Sequence, residues 1–188
     1  FRCPIHRIDH HYAHTLSFWP MKVKPNLHFV FDGFGDDWMY RSVWRDDKLI
    51  DYGKTPSNVP IMEVGSPSLG FIMTRMGAAL QLGGHYLDQA GKIMALKAFG
   101  KHNADVNKEG IDIDSLDKMW DFMVIDQHLN DQQYIMDYIH TAHEYTEEIY
   151  LKHFQKFIEP DDIVGYSGGV AQNTIINKVL KDSIPNLV

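Results

Sequence analysis

The sequence holds a single cysteine, Cys3, in 188 residues, which excludes an internal disulfide framework and fits a reducing, cytoplasmic setting. No apolar run reaches membrane-spanning length, and the opening residues carry no signal-peptide pattern, so no membrane partner is expected. Positive charge is in deficit, with 18 Lys and Arg against 25 Asp and Glu, and the net charge of −7 argues against a nucleic-acid partner. Internal repeats and low-complexity tracts are missing, and no Gly-x-x-x-x-Gly-Lys-Ser/Thr order marks a Walker loop. The hydrophobic share of 44% and charged share of 23% are ordinary for a chain that buries one core. The chain opens at Phe1 without an initiator Met and stops at Val188 after a helix that leads towards a further strand, so it is expected to be an internal piece of a larger protein.

What is present is a mixed α/β pattern. Arg2 to Ile8 reads as a short strand leading into a helix that Pro20 closes by position 19. Leu27–Phe31 is a strand, followed by a hairpin of Tyr40–Trp44 and Leu49–Tyr52 with Asp46-Asp47 at the turn. Lys54 to Pro67, rich in Pro, Ser and Gly, reads as irregular. Apolar residues at helical spacing predict a helix from Ser68 to near Gly83-Gly84, and a second covers Asp88 to Ala98 before Gly100. Asn103 to Asp114 is a polar surface loop, and Leu116–Leu129 and Gln132–Ile158 are helices. In the second of these, His140, His143, Glu144, Glu147 and Glu148 read as a solvated polar face. Ile163–Tyr166 is a strand that Ser167-Gly168-Gly169 turns into a helix over Val170–Leu180.

Two segments carry the chemistry. In Asp9-His10-His11-Tyr12-Ala13-His14, a helix would place His10 and His14 one turn apart on one face, where two neutral imidazoles can hold a divalent metal. A His-x-x-x-His pair alone is more often packed or solvent-facing. In Asp32-Gly33-Phe34-Gly35-Asp36, Asp32 falls at the carboxyl end of a strand, where open α/β sheets place ligands. Gly33 and Gly35 let the backbone approach an anion, with Asp36 in the same loop, although Asp-Gly is equally a hairpin signal. Lys92 follows a glycine near a helix start, where its ammonium could meet phosphate oxygens, or it is a surface lysine. Gly168 and Gly169 precede a helix whose first turns hold Asn173, an arrangement suited to a nucleotide and also common as a structural joint.

The set His10-His11-Tyr12-Ala13-His14, Asp32-Gly33-Phe34-Gly35-Asp36, Ser68-Leu69-Gly70, Gly91-Lys92-Ile93-Met94-Ala95-Leu96 and Gly168-Gly169-Val170-Ala171-Gln172-Asn173 resembles, in order and spacing, the NodU/CmcH-type O-carbamoyltransferases. The resemblance implies an actin-like (ASKHA, ribonuclease H-like) Kae1-type domain, incomplete at both ends over residues 1–188. It implies transfer of a carbamoyl group from carbamoyl-adenylate, made from ATP and carbamoyl phosphate, to a hydroxyl of a small-molecule or sugar acceptor. By the same resemblance His10, His14 and Asp32 ligate the metal, iron or else zinc, and act in catalysis. Gly33 and Gly35 lie by the phosphate, Gly168, Gly169 and Asn173 border the adenosine, and His11 stands behind the ligands. A homodimer is compatible with this reading. Segments flanking the chain and a YrdC-like domain are missing from the sequence, so the chain alone is expected to be inactive. The tRNA threonylcarbamoyl transferases, which share the histidine pair and Gly-Gly-Val-Ala element, are the nearest alternative, and a noncatalytic nucleotide- or metal-binding module of the same fold is the other.

Overall fold

The structure is a computed structural model that describes residues 6–55, 66–85 and 88–188. The expected strand at Arg2 to Ile8 and the irregular stretch from Lys54 to Pro67 lie largely outside the described residues.

A four-stranded sheet in the order β3-β2-β1-β4 forms the frame. Strand β1 (Leu27–Phe31) is buried along its whole length. It pairs antiparallel with β2 (Met39–Arg45), which pairs antiparallel with β3 (Lys48–Lys54). The β2–β3 turn is Asp46-Asp47, both at positive φ, 46° and 63°, which short polar side chains tolerate. Strand β4 (Val164–Ser167) returns parallel to β1, so β1 is hydrogen-bonded on both edges.

Cross-strand pairs divide the sheet into two faces. Phe29, Phe31 and their partners Val43 and Arg41 face α5 (Gln132–Gln155), where Phe29 stacks on Phe154 at 3.8 Å between ring centroids and Phe31 meets Tyr150 at 4.8 Å. The opposite face carries His28, Val30, Ser42 and Trp44, and there α1 (His10–Leu16) lies. Burying Phe29, Phe154, Tyr150 and Trp120 completely places the main core between sheet and α5, each ring contributing about 2 to 3 kcal/mol through burial.

Helix α2 (Leu69–Ala79) packs against α3 (Gln89–Leu96). Three expected helices are shorter or broken. The stretch from Leu116 is a 3-10 turn to Lys118, then α4 (Phe122–Gln127), because the Asp121 carboxylate accepts the Met123 amide and caps a new helix. The helix expected over Val170–Leu180 is a 3-10 turn at Gly169–Gln172, then α6 (Thr174–Ser183), started by Asn173. Helix α3 likewise ends in a 3-10 turn at Lys97–Phe99.

Two readings of polar stretches are corrected. His143 is fully buried in α5, edge-on to Trp120, and Glu147 pairs with Lys97 under the surface. The loop from Asn103 to Asp114 is anchored: Val106 and Ile113 are buried, and Asp114 binds the guanidinium of buried Arg41 and the hydroxyl of Tyr40. Among the described residues no helix is long and apolar enough to cross a membrane.

Candidate functional site

Helix α1 begins where Asp9 accepts the Tyr12 amide at 2.9 Å, a cap that satisfies one of the helix's free donors. Its first amide, that of His10, donates to the Asp36 carboxylate at 3.0 Å, so the loop after β1 holds the start of α1. From this helix His10 and His14 both point at the end of β1. His10 Nε2 lies 3.1 Å and His14 Nε2 2.9 Å from the same oxygen, Oδ2 of Asp32. Their rings meet edge to face at 4.9 Å. Among the described residues this is the single group of three metal-ligating side chains whose ligand atoms lie within 4.8 Å of one another.

The donor set fits a metal. Two imidazole nitrogens and one carboxylate oxygen lie within 4.8 Å of one another, a donor set that divalent transition metals accept. The triad is partly exposed, with side-chain accessibilities of 44% for His10, 30% for His14 and 20% for Asp32, so a ligand could reach it. Burial pushes the Asp32 carboxyl up, but hydrogen bonds from His10 and the Gly33 amide, with the charge of His14, outweigh it and hold the group below its usual value. Asp32 is therefore ionised at neutral pH, as a ligand must be. Beneath the triad His11 is fully buried, and burial lowers its pKa to about 4 against the opposing charge of Asp32.

Asp32 also lines a cavity of about 680 Å³. Gly33 and Phe34 on one side, Gly169 and Asn173 on another, and Phe71 and Met94 from α2 and α3 form its walls. Ser68 ties its hydroxyl to the Asp32 carbonyl at 2.9 Å, which holds the start of α2 against the site. Gly168, at φ 96°, runs so close to Phe31 that a Cβ there would lie 2.1 Å from the Phe31 carbonyl oxygen.

The expected residues are therefore distributed unevenly. His10 and His14 group with Asp32, and Asp32, Gly33, Gly169 and Asn173 line the cavity, so the two sets meet at Asp32. Three others are used within the fold. Gly35 lies under the His11 ring, Asp36 holds α1, and the Lys92 ammonium rests on the carbonyls of Leu82, at 3.0 Å, and Gly83. Asn173 borders the cavity, yet its Oδ1 is occupied by the Ile175 and Ile176 amides, each at 3.1 Å, as the cap of α6. The aromatic wall of Phe34 and Phe71, with ring centroids 5.4 Å apart, was not anticipated, although Phe34 stands between the two glycines of the loop.

No protein-family model and no curated protein sequence matches the chain. Solved structures do. The activator of the 2-hydroxyisocaproyl-CoA dehydratase from Clostridium difficile, with bound ADPNP, is similar over 95% of this chain and 57% of its own, at a TM-score of 0.53 and 12% identity. The (R)-2-hydroxyglutaryl-CoA dehydratase component A of Acidaminococcus fermentans is similar over 93% of this chain and 57% of its own, at a TM-score of 0.47 and 15% identity. The chain thus spans little more than half the length of these structures. The first of these has the actin-like ATPase fold, and the likeness shows that fold for this chain, a mixed α/β one.

Proposed function

We propose that this chain is the metal- and nucleotide-binding part of a cytoplasmic Kae1-type O-carbamoyltransferase. Its substrates are carbamoyl-adenylate, made from ATP and carbamoyl phosphate, and a hydroxylated small-molecule or sugar acceptor. The observation that carries the reading is Asp32, which belongs both to the triad with His10 and His14 and to the cavity wall. A group at that end of the cavity lies beside the metal ligands. The cavity's volume is in the range of nucleotide-sized ligands, and its mainly apolar wall suits a base and ribose. The ordered motifs that resemble those of the carbamoyltransferases add support, and Asp32, Gly33, Gly70, Gly91 and Gly169 from four of them line the cavity.

In this reading His10, His14 and Asp32 would hold iron or zinc, which would supply a Lewis acid for the carbamoyl carbonyl or a phosphate oxygen. The chain's own residues bind and orient. Gly33 and Gly169 allow close approach of the backbone, and the rings of Phe34 and Phe71 make one wall apolar. The acceptor oxygen attacks the carbamoyl carbon, the bond from that carbon to the phosphate oxygen breaks, AMP leaves, and the hydroxyl proton is released.

A noncatalytic nucleotide- and metal-binding module is the second reading. It is favoured by Lys92, whose ammonium is held on backbone carbonyls, so that no lysine or arginine among the described residues lines the cavity. The full-length protein, incubated with ATP, labelled carbamoyl phosphate and a panel of hydroxylated acceptors, separates the two. Acceptor-dependent AMP release with label in the acceptor supports the transferase. Bound metal and nucleotide without acceptor-dependent AMP favours the module, and absence of both kinds of binding overturns both.

A further inference from the structure

Helix α1 is seven residues long, far below the length at which a helix holds itself together in water, so its position depends on what it packs against. The side away from Asp32 is secured through His11, which is fully buried. His11 Nδ1 lies 2.8 Å from Ser42 Oγ, and His11 Nε2 lies 3.1 Å from the Met39 carbonyl oxygen, both on β2. Ser42 Oγ also receives the Trp44 indole N–H at 2.7 Å, and Tyr12 of α1 packs on the Trp44 ring at 5.2 Å.

These partners assign the tautomer. A carbonyl can only accept, so Nε2 carries the hydrogen given to Met39. The Ser42 hydroxyl accepts from Trp44 and still has its own hydrogen to give to Nδ1. The chain Trp44–Ser42–His11–Met39 is then satisfied at every atom, as a buried polar network must be. Gly35 completes the seat. A Cβ there would lie 2.3 Å from His11 Cδ2, and the Gly35 amide donates to the same Met39 carbonyl at 2.6 Å.

We infer that His11 is the positioning residue of the metal centre: pinned to Ser42 and Met39 over the space left by Gly35, it sets the rotation of α1 that brings His10 and His14 onto one oxygen of Asp32. The inference rests on the metal reading of that triad. It also gives the second glycine of the Asp-Gly-Phe-Gly loop a role other than phosphate contact, since Gly35 makes room for an imidazole.

The test uses cobalt(II), whose visible spectrum reports ligand geometry, titrated into the full-length protein and its Ser42→Ala, Gly35→Ala, His11→Ala and His11→Gln variants. Melting curves are taken with and without cobalt. The expected result is cobalt binding by the wild type and about 10-fold weaker binding by Ser42→Ala and Gly35→Ala, the usual scale for supports behind metal ligands. The rise in Tm on adding cobalt shrinks in the same variants. His11→Gln, whose amide can still donate to Met39, keeps more affinity than His11→Ala. A purely structural histidine would lower the Tm of the metal-free variants and leave both the affinity and the cobalt-induced rise unchanged in Ser42→Ala, which overturns the inference even if His11→Ala does not fold. A wild type that binds no cobalt removes the metal reading itself, and the positioning role with it.

Discussion

Gly169 stands so close to Asp32 that a Cβ at position 169 would lie 2.9 Å from Asp32 Oδ1. The carboxylate is trapped between this backbone and the two histidines that face its other oxygen. Gly169→Ala is therefore expected to displace the Asp32 side chain while the fold survives, because only one side-chain atom has to move. Metal affinity falls about 10-fold, and stability changes by about 1 kcal/mol or less. Gly168→Ala behaves differently, since its obstacle is the Phe31 backbone and its φ is 96°. That variant is expected to lose roughly 3 kcal/mol or more. Equilibrium metal dialysis beside urea unfolding of both proteins checks the contrast, and equal stability losses in the two would sink it.

Removing the imidazoles tests the triad directly. His10 and His14 are partly exposed, and their side-chain hydrogen bonds run to Asp32, so the His10→Ala/His14→Ala variant is expected to fold normally. Elemental analysis of the full-length protein is expected to find near-stoichiometric iron or zinc in the wild type and none in the double variant. Unchanged metal content in the variant defeats the ligand assignment.

How much of this was legible in the sequence depends on how local each signal is. The strand Leu27–Phe31, the Asp46-Asp47 turn and the shared face of His10 and His14 follow from short-range pattern. The breaks at Asp121 and Asn173 did not, because either residue could cap a new helix or face solvent from a continuous one, and the choice depends on neighbours far away in sequence. For Lys92 and Asn173 the sequence leaves a ligand contact and a structural role both open; in the fold their polar groups meet carbonyls and amides whose positions no spacing encodes. His143 could have been caught. It lies one turn after Ile139 and beside Ala142, on the buried stripe of α5, and its polarity obscured that.

The loop from Asn103 to Asp114 offers a prediction about stability. Arg41 is buried, and its guanidinium meets Asp114 through two nitrogens and Asp51 through a third. Asp114→Ala leaves Asp51 as the remaining carboxylate partner and frees the Tyr40 hydroxyl. The expected loss is about 2 kcal/mol, in the range for hydrogen bonds to a charged group. Because the same bond anchors the loop, limited proteolysis is expected to cut between positions 103 and 115 in the variant well before the wild type. Equal cleavage rates would show that the loop is held by Val106 and Ile113 instead.

Buried histidines set the response to acid. Burial and the charge of Lys97 lower His143 to about 3, and burial and the charge of Arg41 lower His153 to about 4. In the unfolded chain both titrate near 6.5. Above that value neither state binds a proton at these sites, so stability there does not depend on pH through them. As the pH falls below it, the unfolded chain takes up protons that the folded one refuses, and unfolding becomes easier. Each histidine contributes a slope approaching about 1.4 kcal/mol per pH unit until its folded-state value is reached. Urea midpoints measured from pH 7 to pH 4.5 are therefore expected to fall steeply below pH 6. His143→Leu places an apolar side chain against Trp120 and removes one titrating group, so its slope near pH 5 is expected to be shallower by about one proton. A slope identical to that of the wild type would mean that His143 is protonated in the folded protein, and that its burial against Trp120 does not hold it neutral.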